Sequence, residues 1–210
     1  MNFSHNSPLI RFLTMVADVM IIGVLWLVTS IALITIGAST TAAFYVMMRR
    51  ISNRESSIVS EYFSAFKSNF VNATKVFITI AVAATIIITN ILNAQISGTF
   101  DIILYALQIL LAIELLFICV HIFPLASRFE LKYMQLFKMA LIIANKHIFI
   151  SITHVAAFVA IVWVCLSAPV TLLFVFGFYC WASSYMLIKV YRKYIPELDK
   201  NFDNNVKKEE

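Results

Sequence analysis

The chain has 210 residues, 61% of them hydrophobic and 13% charged, with a mean hydropathy of +0.90, whereas an ordinary soluble domain is roughly 45–50% apolar and about 25% charged. Several apolar runs approach or exceed the ~20 residues that a bilayer-crossing helix needs, which excludes a soluble globular domain and points to an all-α, polytopic membrane bundle. The net charge of +5 does not signal a nucleic-acid partner: the 16 Lys and Arg residues lie at Arg11, from Arg49 to Lys75, from Arg128 to Lys146 and from Lys189 to Lys208, and the positive-inside rule assigns all four zones to the cytoplasm.

The N-terminus lacks a signal peptide's pattern, because it carries one Arg and its apolar run far exceeds a signal h-region, so it is expected to be retained. From Leu13 to Met48 the only formal charge is Asp18. That stretch is too long for one span and short for two. Arg11 before it and Arg49, Arg50 and Arg54 after it both belong in the cytoplasm, a demand that an out-and-back hairpin over 12–51 satisfies. The polar knot Gly37-Ala38-Ser39-Thr40-Thr41 supplies a reversal point, since Gly37 tolerates positive φ and Ser39 can cap a helix beginning at Thr40. The returning arm, from Thr40 to about Ile51, is short for a full span. Partial entry, shelter among neighbouring helices and tilting of the surrounding lipid are three ways to accommodate it.

Next comes VSEYFSAFKSNF, in which Val59, Tyr62, Phe63, Phe66 and Phe70 fall on one helical face and Glu61, Ser64, Lys67 and Ser68 on the other. An amphipathic helix is expected at 58–70. A hairpin at 73–123 follows, with spans over 73–92 and 102–123, a turn around Gly98 and Pro124 ending the run. A second amphipathic helix is read at 128–146, with Phe129, Tyr133, Leu136, Phe137 and Ala140 opposed to charged residues. A hairpin at 148–190 turns at Pro169, and a polar cytoplasmic tail covers 191–210. Basic, aromatic-rich amphipathic helices lie along the cytoplasmic membrane surface. The alternative is that they dock a soluble partner, through a surface that includes Glu61, Lys67, Arg128, Lys132 and Lys138.

A shift of 71 positions aligns Tyr62 with Tyr133, Phe66 with Phe137, Lys67 with Lys138, Ala73 with Ala144 and Lys75 with Lys146. The matches are few, but the order of elements suggests a repeated unit of amphipathic helix and hairpin. The sum is a single membrane domain over 1–210 with five full spans, one short returning helix, two cytoplasmic amphipathic helices and both termini inside.

The run TIGASTTAAFYVMMRR, followed by YFSAFKSNFVNATK, resembles the signature of the YesL-like family of bacterial membrane proteins. HIFPLASRFELKYMQLFKMALIIANKHI is similar to that family's second cytoplasmic stretch, and Leu25-Trp26-Leu27 in the first span fits as well. The family often has a Pro near the position of Ala32, which is missing here and leaves the first helix less sharply ended. The resemblance implies the fold, a bacterial plasma-membrane location and a link to carbohydrate-utilisation clusters with ABC-type sugar importers. It implies no catalytic residues, since none is established for the family.

Ionisable groups within the membrane are the first candidates for chemistry. Asp18, His121 and His154 sit within roughly 5–10 Å of the cytoplasmic side at ~1.5 Å per residue, where headgroups, water or interhelical bonds can satisfy them. Glu114 lies near mid-span, where a carboxylate must be neutral, paired or hydrated. A carboxylate beside a histidine could relay protons or bind a cation. Gly37, Ser39, Thr40 and Thr41 form either a packed turn or a substrate or lipid contact. No G-x-x-x-x-G-K-[ST], H-E-x-x-H or G-x-S-x-G occurs. Cys119, Cys165 and Cys180 lie in apolar segments without C-x-x-C spacing, and read as buried thiols. The expectation is a non-enzymatic accessory protein of sugar uptake without cofactor or metal, whose partners are the bilayer and importer subunits. The alternative is a small oligomeric carrier or channel using the Gly37–Thr41 bend and Glu114; an intramembrane enzyme ranks third.

Overall fold

The computed structural model describes residues 8–52, 57–129, 131–168 and 171–194. Within them the chain forms seven α-helices: α1 (Pro8–Thr29), α2 (Ile36–Ile51), α3 (Ile58–Leu92), α4 (Thr99–Arg128), α5 (Tyr133–Lys146), α6 (Ile148–Ser167) and α7 (Leu172–Tyr194), with a 3-10 turn at Leu33–Thr35. Four of them, α1, α3, α4 and α6, are long and apolar enough to cross a membrane. The chain is a multi-pass, all-helical membrane protein. Arg54, Pro169 and the tail from residue 195 lie outside the described residues, while positions 191–194 of the expected tail continue α7.

The first hairpin turns earlier than the knot. The reversal occupies Ser30 to Thr35, and Gly37 to Thr41 lie inside α2, so Gly37 is helical and Ser39 caps nothing. The turn is made without glycine. The Ser30 amide bonds Trp26 O at 2.9 Å and the Thr35 amide bonds Ala32 O at 2.8 Å, while the Thr35 hydroxyl donates to the carbonyls of Thr29 and Ala32. The two arms run antiparallel, since Trp26 meets Thr40 near the turn and Asp18 meets Arg50 near the open end.

α2 is the hub. It touches α1, α3, α4 and α7, and Ala38, Ser39, Thr41, Ala42, Ala43, Val46 and Met48 are all buried. Of the three accommodations open to so short an arm, shelter among neighbours is the one observed, as expected for a helix that is apolar or small on every side. The small side chains let the backbones close in. A Cβ on Gly37 would stand 2.5 Å from Ala73 O and 2.8 Å from Phe77 Cβ in α3, and one on Gly177 of α7 would stand 2.1 Å from Val19 O in α1.

The expected amphipathic helix at 58–70 is not a separate element. It is the first part of α3, a single helix of 35 residues, about 52 Å long at 1.5 Å per residue. Its buried residues explain the continuity: Ile58, Tyr62, Ala65, Ala73, Val76 and Ile80, with half-buried Asn69 between, form one unbroken stripe at three- and four-residue spacing. Within the expected apolar face Tyr62 is buried, whereas Val59 and Phe63 are exposed. The turn after α3 falls around Gly98 as expected, where the Asp101 carboxylate accepts bonds from the Ser97 and Gly98 amides and the Ser97 hydroxyl.

Pro124 does not end its helix. α4 runs through it to Arg128, because Leu125, Ser127 and Arg128 are buried and continue to pack. The second amphipathic segment therefore begins later, at Tyr133. α5 buries Leu136, Ala140, Ile143 and Ala144 and packs mainly on α4. His147, the single residue between α5 and α6, leaves the helical region at φ −118°, ψ 51°. Burial, and then Lys193 and Lys146 beside it, hold its imidazole below the ordinary histidine range. At the equivalent place in the 71-residue alignment α3 carries on unbroken, so the two proposed units differ in helix continuity.

Gly37→Val and Gly177→Val are each expected to destabilise the bundle by about 1–3 kcal/mol or more, the cost of overpacking against a backbone that cannot yield. Gly98→Ala, with 3.9 Å to its nearest atom, should be neutral. Thermal aggregation of the purified protein in mild detergent separates the three.

Candidate functional site

The charged residues at the open end of the first hairpin form a clamp. Arg49 and Arg50 are adjacent in the last turn of α2, and adjacent helical residues point about 100° apart. Each therefore faces a different neighbour. Arg49 Nε lies 3.1 Å from Glu61 Oε1 on α3, and Arg50 Nε lies 3.5 Å from Asp18 Oδ2 on α1. Arg49 also donates to the Tyr45 hydroxyl at 3.1 Å. The side chains of the Arg49–Glu61 pair are 7% and 10% exposed. Asp18 thus joins a helix-to-helix ion pair. Glu61 and Arg128 leave the expected docking surface, because Arg128 is 3% exposed and Glu61 is enclosed by its partner. Lys67, Lys132 and Lys138 remain exposed.

The knot satisfies itself. The Ser39 hydroxyl donates to Thr35 O and that of Thr41 to Gly37 O, each at 2.9 Å, the back-bonding that lets Ser and Thr sit in apolar helices. Thr40 alone faces open space, and its hydroxyl accepts the Trp26 indole N–H at 3.0 Å. Tyr62 closes the layer behind it, with its hydroxyl 2.7 Å from that of Thr29 and donating to Ser39 O. The space that Thr40 faces is a cavity of about 460 Å³ between the first hairpin, α3, α4, α6 and α7. Its walls are almost wholly apolar, and Glu114 is not among them. Glu114 instead accepts a bond from the Asn145 amide of α5, so the bend and Glu114 do not share a site.

His121 and His154 come together. They sit on α4 and α6, both buried, with ring centroids 5.8 Å apart. The partners fix the tautomers. His154 Nδ1 lies 2.8 Å from Ile150 O, a carbonyl that only accepts, so this nitrogen carries the proton. The Ser151 hydroxyl donates to Ala144 O at 2.8 Å and accepts from His121 Nε2, also at 2.8 Å. His121 Nδ1 is left as a buried acceptor without a hydrogen bond in the structure, whereas His154 has the Ser183 carbonyl as a second backbone partner. Tyr179 of α7 stands edge-on to His154 at 6.3 Å. A buried imidazole nitrogen with a free lone pair, as at His121 Nδ1, can accept a proton. Among the described residues no group of three or more His, Cys, Asp or Glu is placed to hold a metal ion.

Sequence reasoning marked Asp18, His121 and His154 but missed what each meets: Arg50, Ser151 and Tyr179. For Asp18 the signal was present, since Arg50 lies at the matching depth of an antiparallel hairpin. For the histidines there was none, because residues 33 positions apart on different helices are brought together only by packing.

Residues 19–91 match a family model described as protein of unknown function, DUF624. The matched region holds α2, the small-residue knot, Arg49, Arg50 and Glu61, and stops short of the histidine pair. Comparison with curated proteins and with solved structures gave no match.

Arg49→Ala is expected to cost about 3–5 kcal/mol by removing one side of a desolvated ion pair. Arg49→Ala with Glu61→Ala should cost less than the sum of the two single changes. A double-mutant cycle on thermal stability in detergent checks it; additivity would dismiss the clamp.

Proposed function

We propose that the chain is a non-enzymatic, multi-pass protein of the bacterial plasma membrane that serves as an accessory component of ABC-type carbohydrate uptake. The observation that carries the accessory role is the clamp. The carboxylates Asp18 and Glu61 are committed to holding α1 and α3 against α2, which suits a scaffold better than a site whose charges must exchange partners. The link to sugar uptake rests on the YesL-like resemblance, with which the match at 19–91 agrees. In this reading α1, α3, α4, α6 and α7 are five full spans, α2 is a short sheltered arm, and both termini are cytoplasmic. Lys67, Lys132 and Lys138 then offer a cytoplasmic surface to importer subunits. Tagged full-length protein should co-purify with those subunits, and Lys67→Glu, Lys132→Glu and Lys138→Glu together should release them. Unchanged co-purification, with normal growth of a deletion strain on every complex sugar its cluster serves, would overturn the role.

The topology has its own test. The hairpin turn exposes Ile31, Leu33 and Ile34, Leu33 at 74%, so at the far end of a full span its tip is suited to the outer lipid interface rather than to water, whereas the α3–α4 loop is suited to water. In a background lacking the native cysteines, Ser97→Cys should react from outside intact cells with a membrane-impermeant maleimide and Leu33→Cys should not. Equal reaction at both would rule out a buried tip.

The second reading is a small oligomeric carrier or channel, favoured by the spare Nδ1 of His121 beside His154. It expects pH-driven flux in liposomes that His121→Leu abolishes, and an oligomeric mass in detergent. Absence of flux from the unmodified protein rules it out.

A further inference from the structure

The apolar cavity is too well defined to be a packing flaw. At about 460 Å³ it falls within the roughly 300–1,000 Å³ of ligand pockets. Along α6 its lining runs from Val155 to Leu166, roughly 16 Å at the rise of a helix, so it is elongated. One wall is deep: Phe44, Ile80, Val120 and Phe123 are all buried. The opposite side is open, since Leu116 on α4 and Phe158, Val162 and Leu166 on α6 line the cavity and are also exposed. Both of those helices are long and apolar enough to cross the membrane. The mouth therefore faces hydrocarbon.

The lining also determines what can enter. The Thr40 hydroxyl is already engaged by Trp26, and Tyr179 is the other hydroxyl on the walls. A sugar would bring several hydroxyls with no partners, each costing about 1–3 kcal/mol to desolvate. A flexible hydrocarbon chain has no such cost, and gains dispersion contacts that an empty space forfeits. We infer that this cavity binds one acyl chain of a membrane lipid, which enters sideways between α4 and α6 and lies against Phe44 and Phe123. The site is independent of the accessory role, and His121 and His154 are not among its lining residues.

Full-length protein reconstituted into phosphatidylcholine vesicles containing a trace of diazirine-acyl phosphatidylcholine tests the assignment. After photolysis, peptides carrying the deep wall around Phe44 and Phe123 should be labelled. So should outward residues such as Val159 and Trp163, which are exposed and do not line the cavity. Val162→Trp at the half-exposed mouth, and independently Ala81→Phe inside, should cut deep-wall labelling at least fivefold and leave Val159 and Trp163 unchanged. Labelling of outward residues only means annular lipid, and overturns the site. So does deep-wall labelling that both folded variants retain, or a water-soluble diazirine sugar that labels the deep wall instead. Should either variant fail to fold, the other and the labelling pattern of the unmodified protein still decide.

Discussion

A sixteen-residue helix is about 24 Å long, short of the roughly 30 Å of hydrocarbon in a bilayer, so the chain at its end needs protein or water around it. The bundle is arranged to surround α2. Two adjacent arginines at its end fix the arrangement, because neighbouring side chains diverge by about 100° and so grip two different helices. Arg50 holds α1 through Asp18 and Arg49 holds α3 through Glu61. Basic side chains at a helix C-terminus are favoured by its dipole, and desolvation makes the inner pair costly to break from one side. The flanking helices are held where their backbones can approach α2.

That approach depends on what α2 lacks. Gly37 leaves room for the Ala73 carbonyl, and Gly177 does the same for Val19 where α7 meets α1. In lipid, helices gain little from hiding apolar surface and depend instead on close packing and interhelical hydrogen bonds. The hydroxyls in the knot do not disturb this, because Ser39 and Thr41 bond to their own helix. Thr29, Tyr62 and Ser39 O add one polar tie across three helices at the same level.

Charge distribution made the first hairpin legible. Arg11 and Arg49 could share one side only if the chain turned back, and the antiparallel contacts of α1 with α2 agree. The position of the turn was not legible, because glycine was read as a turn signal, whereas in a membrane bundle Gly37 marks close packing. The actual turn, Ser30 to Thr35, is apolar and resembles span. The surface helix was ended at Phe70, although the stripe from Ile58 through Ala65 to Ile80 runs straight past it. Pro124 misled in the same way: a proline ends a helix only where nothing beyond it packs, and Leu125 to Arg128 do. Partners that lie on distant helices, such as Ser151 for His121, leave no local trace.

α6 shows how little packing a membrane helix can rely on. Its only buried residues are Ser151 and His154, the two that bond or stack with α4, α5 and α7. Ile150, Ala157 and Ile161 pack partly against the core, and much of the rest is exposed or lines the cavity. The clamp locks α1, α2 and α3 together through ion pairs with desolvated charges. α6 is held through neutral hydrogen bonds, each worth about 0.5–1.5 kcal/mol net. The hydrogen bond from His121 to Ser151 thus ties α6 to α4 along the same line on which the cavity opens and the two imidazoles face each other.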